Sequence, residues 1–265
     1  MTQPAWPVPV PSKRTPNSAP SGLPPVRSPV SEEETRSQRV GLADLGLGLM
    51  AIAAGGSDAL AYLTLGHVFT SAMTGNTVLL CIAVGQGQFV AAMQSFTAFL
   101  AFVAGAALAA AFSRRPVPNE HVPAHLSPLF LLEIALLAAF VAVWFATGRT
   151  SETARYGLIV LSAIAMGTQG VIARHINVPQ VNTIVFTTTI ISVVASCTRA
   201  LLAASAVPFD TKRQIGILLV YAAGAVLMAV LIAHANAIYV WLPLIAVIGA
   251  FACYETARRA AAHAA

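Results

Sequence analysis

Charge is what this sequence has least of. Asp, Glu, Lys and Arg make up 9% of its 265 residues, against about a quarter in a soluble domain. That shortage excludes an ordinary soluble protein. Cysteine is also scarce: Cys81, Cys197 and Cys253 have no metal-ligand spacing and are too few for a disulfide framework. Lying in apolar runs, they read as small buried hydrophobes. No HExxH, GxSxG or Walker motif occurs, and the histidines are scattered. Nothing therefore specifies an enzyme, a cofactor or a metal site. The net charge is +5, but no basic stripe carries interleaved aromatics, so no nucleic-acid partner is implied.

What is abundant is oil: 57% of the residues are hydrophobic. Eight apolar segments follow Arg39, at about 41–66, 69–85, 89–113, 127–148, 155–174, 182–206, 214–234 and 237–257. A bilayer-spanning helix needs about 20 residues. Continuous apolarity over such lengths requires helices, which satisfy their own backbone groups. The expected fold is an all-α polytopic membrane protein, with lipid bilayer as its first partner. Residues 1–39 are a separate tail holding nine of the sixteen prolines. With too few apolar residues for a core, the tail reads as disordered. It has no apolar run after its basic residues, so it does not read as a signal peptide. The helical domain covers 40–258, and 259–265 form a second short tail.

Two halves, about 41–148 and 155–257, look alike. Gly56 matches Gly167, Thr74 matches Thr187, and Ala104-Gly105-Ala106 matches Ala223-Gly224-Ala225. In this register Asp58 falls opposite Gln169. Duplicated halves are typical of transporter folds, whose sites lie at the repeat interface.

Lys and Arg near helix ends favour the cytoplasmic side. Eight crossings with the N-terminus inside put Arg36, Arg39, Arg149, Arg155, Arg199, Lys212, Arg213, Arg258 and Arg259 inside, and Arg114, Arg115 and Arg174 outside. Six crossings, with the second and sixth segments re-entrant, leave only Arg149 and Arg155 outside. The charge rule does not separate the two. The length of the sixth segment favours eight. Both place N- and C-termini in the cytoplasm, and the setting expected is a bacterial inner (plasma) membrane.

Polar groups inside apolar segments are the functional pointer. Asp58 lies well inside the first segment, where an aspartate costs at least about 2.5 kcal/mol on insertion scales. It should therefore face the bundle interior and could bind a cation or a proton. Thr74-Gly75-Asn76 interrupts the second segment and could unwind to present oxygens to a ligand. Thr187 and Thr188 are the matching features of the sixth segment, and Gln169 could complement Asp58. Asp58, Thr74, Asn76, Gln169, Thr187 and Thr188 are thus the candidate solute- or ion-binding residues. Gly75, Gly105 and Gly224 read as helix-packing positions, with Ser71 and Gly75 a small-xxx-small pair. Glu133 should snorkel to the interface or pair with a basic neighbour. Arg174-His175 reads as an interfacial anchor, and His67 as a solvated loop residue.

The stretches GGSDALAYLTLGHVFTSAMTGNTVLL, MGTQGVIARH and NTIVFTTTI resemble the YoaK-type family of bacterial membrane proteins, a family of unknown function. The resemblance covers about residues 42–257. It implies an inner-membrane protein and supplies no substrate or catalytic residue. It would also place an Asn-like residue after Gln169, where this chain has Gly170, and a glycine within the threonine run. The leading expectation is a transporter of a small solute, coupled to a cation or proton through Asp58. The alternative is a non-transporting scaffold or sensor that recruits a cytosolic partner through its proline-rich tail. Substrate, transport direction and oligomeric state are not written in the residues.

Overall fold

The computed structural model describes residues 29–113, 126–147, 151–176, 186–204, 206–235 and 237–262. The proline-rich reading of residues 1–28 lies outside them. The described chain forms eight α-helices and no strand: α1 (Pro29–Thr64), α2 (Met73–Gly85), α3 (Phe89–Phe112), α4 (Ser127–Thr147), α5 (Glu152–His175), α6 (Phe186–Leu202), α7 (Phe209–His234) and α8 (Leu242–Ala262). A single 3₁₀ turn at Ile238–Trp241 leads into α8.

Two boundaries correct the sequence reading. α1 starts at Pro29, so the end of the tail expected to be disordered is helical. Its residues SEEETRSQR hold no further proline and are of types that a helix tolerates. α2 starts at Met73, so Thr74-Gly75-Asn76 opens that helix rather than interrupting it. Ser71 lies in the preceding loop, so it forms no helical pair with Gly75.

Among the described residues, six helices are long and apolar enough to cross a membrane: α1 (from Gly41), α3, α4, α5, α7, and the stretch Ile238–Ala260 containing α8. α2 has 13 residues and α6 has 17. At 1.5 Å per residue they reach roughly 20 and 25 Å, short of a hydrocarbon core of about 30 Å.

Contacts fix the direction of each crossing. Asp44, near the start of α1, pairs with Arg213 near the start of α7. Ser127 opens α4 and donates to Glu255, late in α8, at 2.6 Å. Ile176, just past α5, shares a cavity with Leu42 and Ala43 of α1. The starts of α1, α4 and α7 therefore lie at one end of the bundle, with the ends of α5 and α8. At the far end, Gly66 beyond α1 abuts Gln94, early in α3. Trp144, late in α4, meets Tyr239 just before α8, with ring centroids 5.9 Å apart. Thus α2 leaves and returns at the far end, and α6 does so at the first. This selects six crossings with two re-entrant segments. Eight crossings would put Ser127 and Glu255 on opposite sides.

The two halves exchange their first helices. α1 packs on α7 and α8, while α5 packs on α3 and α4. α1 and α5 are consequently the most enclosed spans. Only helices shielded on all sides can carry polar side chains cheaply. These two hold Ser57, Asp58, Ser162, Thr168 and Gln169, all buried. The other helices turn apolar side chains outward, as Phe96, Leu100 and Val103 do on α3. Exposure in such a bundle means contact with lipid. The cysteines are not the buried hydrophobes expected: Cys81 is exposed, and Cys197 and Cys253 are half-buried.

Glycines set the two exchanged crossings. A Cβ on Gly105 would strike the backbone of Ile164, and one on Gly167 the carbonyl of Phe102. Likewise a Cβ on Gly224 would strike the backbone of Ile52, and one on Gly55 the carbonyl of Tyr221. α3 meets α5 as α7 meets α1. Gly105 and Gly224 are packing positions, as read from the sequence. Gly75 leaves room for the Phe69 ring, which a Cβ there would approach to 2.9 Å.

Candidate functional site

The mirrored glycine contacts shift the register between the halves by one residue. Gly55 rather than Gly56 stands where Gly167 stands, and Ile52 where Ile164 stands. Ser57 is therefore the counterpart of Gln169, and Asp58 the counterpart of Gly170. On the partner helices, Tyr221 is the counterpart of Phe102.

Asp58 is 3% exposed and faces inward. Its Oδ1 accepts from the backbone N–H groups of Thr70 and Ser71, each at 2.7 Å, and from Thr70 Oγ1 at 3.3 Å. Its Oδ2 accepts from Ser71 Oγ and Tyr221 Oη, each at 2.6 Å. One carboxylate thus takes five donors from two places: the α1–α2 loop and α7 of the other half. Charge-assisted bonds of this length are the strong kind.

Asn76 secures the same loop. It is fully buried in the first turn of α2. Its Oδ1 accepts from Phe69 N at 2.8 Å, and its Nδ2 donates to Phe69 O at 2.5 Å. Phe69 stacks on Tyr62, with centroids 5.2 Å apart. His67 turns the chain in the left-handed region, at φ 59°. It is solvated on one side and edge-on to Tyr62 on the other. Asp58 and Asn76 together therefore pin residues 69–71, while Thr74 is exposed and takes no part.

The remaining candidates lie elsewhere. Gln169 is buried at the contact of α5 with α1, where its Nε2 donates to Met50 O at 2.8 Å. Its Oε1 has no partner. Thr188 lies exposed in the first turn of α6. Thr187 is helical, and its side chain lies outside the described residues. The structure therefore links Asp58 to Asn76 through the loop that both hold, whereas Gln169 bonds to Met50 O instead. Arg174 is exposed at the end of α5, and His175 Nδ1 lies 2.9 Å from Val171 O.

Sequence reasoning missed Tyr221 and the loop donors. Their signal was present: Tyr221 sits three residues before Gly224, on the face that meets α1. Glu133 is also corrected. It neither snorkels nor pairs; it is 0% exposed, and neither carboxylate oxygen has a hydrogen-bond partner. Among the described residues no three His, Cys, Asp or Glu side chains are grouped to hold a metal.

Two unfilled spaces occupy the junction of α1, α4, α5 and α8. One opens toward the first end, has room for about one water molecule and includes Gly46, Met50, Phe130, Ala250 and Tyr254 in its lining. The other is bordered by Ser57, Leu137, Ser162 and Leu244 and is too narrow for water.

Six apolar crossings, two short re-entrant helices and buried polar groups on the two central helices define a multi-pass α-helical membrane protein. The profile of the family described as "Protein of unknown function (DUF1275)" matches residues 46–253. The chain belongs to this family. It is also similar to the UPF0700 transmembrane protein YoaK of Bacillus subtilis (strain 168), 29% identical over 206 residues, covering 77% of this chain and 90% of the relative. No solved structure matches the chain.

Proposed function

We propose that this protein carries a small solute across the bacterial cell membrane, coupled to a cation or proton through Asp58. The Asp58 latch supports this reading most. It ties the loop of one half to Tyr221 of the other, across the surface on which two halves of a transporter move. A cation or proton at Asp58 competes with the five donors. It therefore loosens the loop and α2 from α7 and biases one state over another. Six crossings put Arg36, Arg39, Arg114, Arg115, Arg174, Arg199, Lys212, Arg213, Arg258 and Arg259 at one end and Arg149 and Arg155 at the other. Ten against two supports the reading that the first end, with both termini, is cytoplasmic.

The test uses access to the centre. In a chain with its three native cysteines replaced, Ser162→Cys is exposed to a membrane-impermeant maleimide from each side. A transporter opens, so the buried thiol reacts, and its rate changes severalfold in Asp58→Asn. A folded protein whose residue 162 never reacts, although it does so after denaturation, is a static scaffold. Opening at an unchanged rate in a stably inserted Asp58→Asn protein removes any essential charge at that position.

A further inference from the structure

The latch leaves a second buried acid unused. Glu133 sits about two turns into α4 (Ser127–Thr147), in the sequence Phe130-Leu131-Leu132-Glu133-Ile134. Its side chain is completely buried, and both oxygens lack a donor. Phe130, one turn before it, borders the cytoplasm-facing space, and Leu137, one turn after it, borders the inner one. Spacings of three and four put all three residues on one helix face. Glu133 therefore points into the four-helix junction, between the two spaces.

Two further polar atoms without partners lie at the same junction. They are Gln169 Oε1, next to Met50, which borders the first space, and Ser57 Oγ, on the border of the second. Ser57 and Gln169 are the matching positions of the two halves. The Gln169 amide nitrogen is already committed to Met50 O, so its oxygen is left as an unused acceptor. Three unpartnered polar groups in one apolar junction would be costly in a purely structural core.

Titratable and charged groups on the packed helices are engaged or distant. On α8, Tyr254 accepts from Leu126 N at 3.3 Å, and Glu255 holds Ser127 and Arg258. On α5, Arg174 and His175 lie at the first end, and Arg155 and Tyr156 at the far end beyond Ser162. Tyr239, before α8, packs on Trp144 at the far end. On α1, Asp58 is saturated. Among the described residues no cation or donor pairs with Glu133. A proton needs no cage of ligands, which suits an acid whose two oxygens have no partner.

We infer that Glu133 is a proton-carrying residue, loaded and unloaded through the junction of α1, α4, α5 and α8. This rests on the transport reading for its purpose and names the coupling ion as a proton. Asp58 then acts as the latch, and Glu133 holds the cargo that drives the cycle.

The test is pH-difference infrared spectroscopy of the full chain in lipid vesicles, with glutamate carrying a ¹³C carboxyl to separate Glu133 from Asp58. A carboxylic-acid C=O band is expected that shifts with the isotope and fades as pH rises. It disappears in Glu133→Gln and survives in Asp58→Asn. Glutamine mimics the protonated acid in shape; should it fail to fold, Glu133→Asp is used instead and moves the band out of the labelled set. A band that never titrates overturns the inference, because the acid is then permanently neutral. A labelled band that loses no component in Glu133→Gln overturns it too. A titrating band in a protein whose Ser162→Cys centre never opens keeps the proton site and removes the transport reading.

Discussion

Where α1 crosses α7, Gly55 and Gly224 bring two backbones into contact. Where α5 crosses α3, Gly167 and Gly105 do the same. The backbone design is shared, but the polar chemistry is not. The first crossing carries Asp58 and Tyr221, joined at 2.6 Å. The second carries Gly170 and Phe102 at the matching places, without carboxylate or hydroxyl. Acid and donor occur as a pair or are absent as a pair, as the cost of leaving one alone in lipid demands. Shape is thus common to both halves, whereas the latch belongs to one.

Removing the acid should break this asymmetry most strongly. Asp58→Ala strands two buried backbone N–H groups and three hydroxyls, and each stranded N–H costs about 1–3 kcal/mol. A loss of roughly 4 kcal/mol is expected, read as reduced thermal stability in detergent and faster amide exchange at residues 68–72. An unchanged exchange rate would mean that the loop does not depend on the carboxylate. Next is Gly55→Val, which forces α1 away from α7 at a cost of about 3 kcal/mol. The mirror variant Gly167→Val should cost a similar amount, and unequal losses would show that the two crossings are not equivalent in tightness. Asn76→Ala frees both backbone groups of Phe69 and should cost about 2 kcal/mol. Exposed Thr74→Ala should stay within about 0.5 kcal/mol. Equal effects of these two would contradict their different burial. The mildest latch variant is Tyr221→Phe, which loses one bond to a charged group, about 1.5 kcal/mol. It should loosen α7 from the loop while Ser71 still holds Asp58.

Much of this was legible from the residues. Continuous apolar runs announced all eight helices, because hydropathy reports length directly. Asp58 announced its inward direction, because lipid does not tolerate the alternative. The number of crossings was hidden, since hydropathy carries no direction and only contacts such as Ser127 with Glu255 supply it. The repeat register was off by one because Gly55 and Gly56 are adjacent, and composition cannot choose which meets Tyr221. The Thr74 and Thr187 match suggested one shared site, yet Thr74 is exposed at the start of α2 and takes no part in holding the loop. Glu133 was misread as interfacial because depth was judged by distance from the segment end. The better signal was its helical face, shared with Phe130, Leu137 and Phe140.

The exchange of first helices also bears on synthesis. α1 ends at Thr64, and its main packing partner, α7, begins at Phe209, a separation of 209 − 64 = 145 residues. At about 5–20 residues per second, a ribosome needs roughly 7–30 s to cover that distance. Throughout that interval an aspartate-bearing helix waits beside the insertion machinery with no Tyr221 to receive it. Newborn chains stalled before α7 should therefore be held by insertase or degraded, and coexpressed halves should assemble only when both are present in the membrane together.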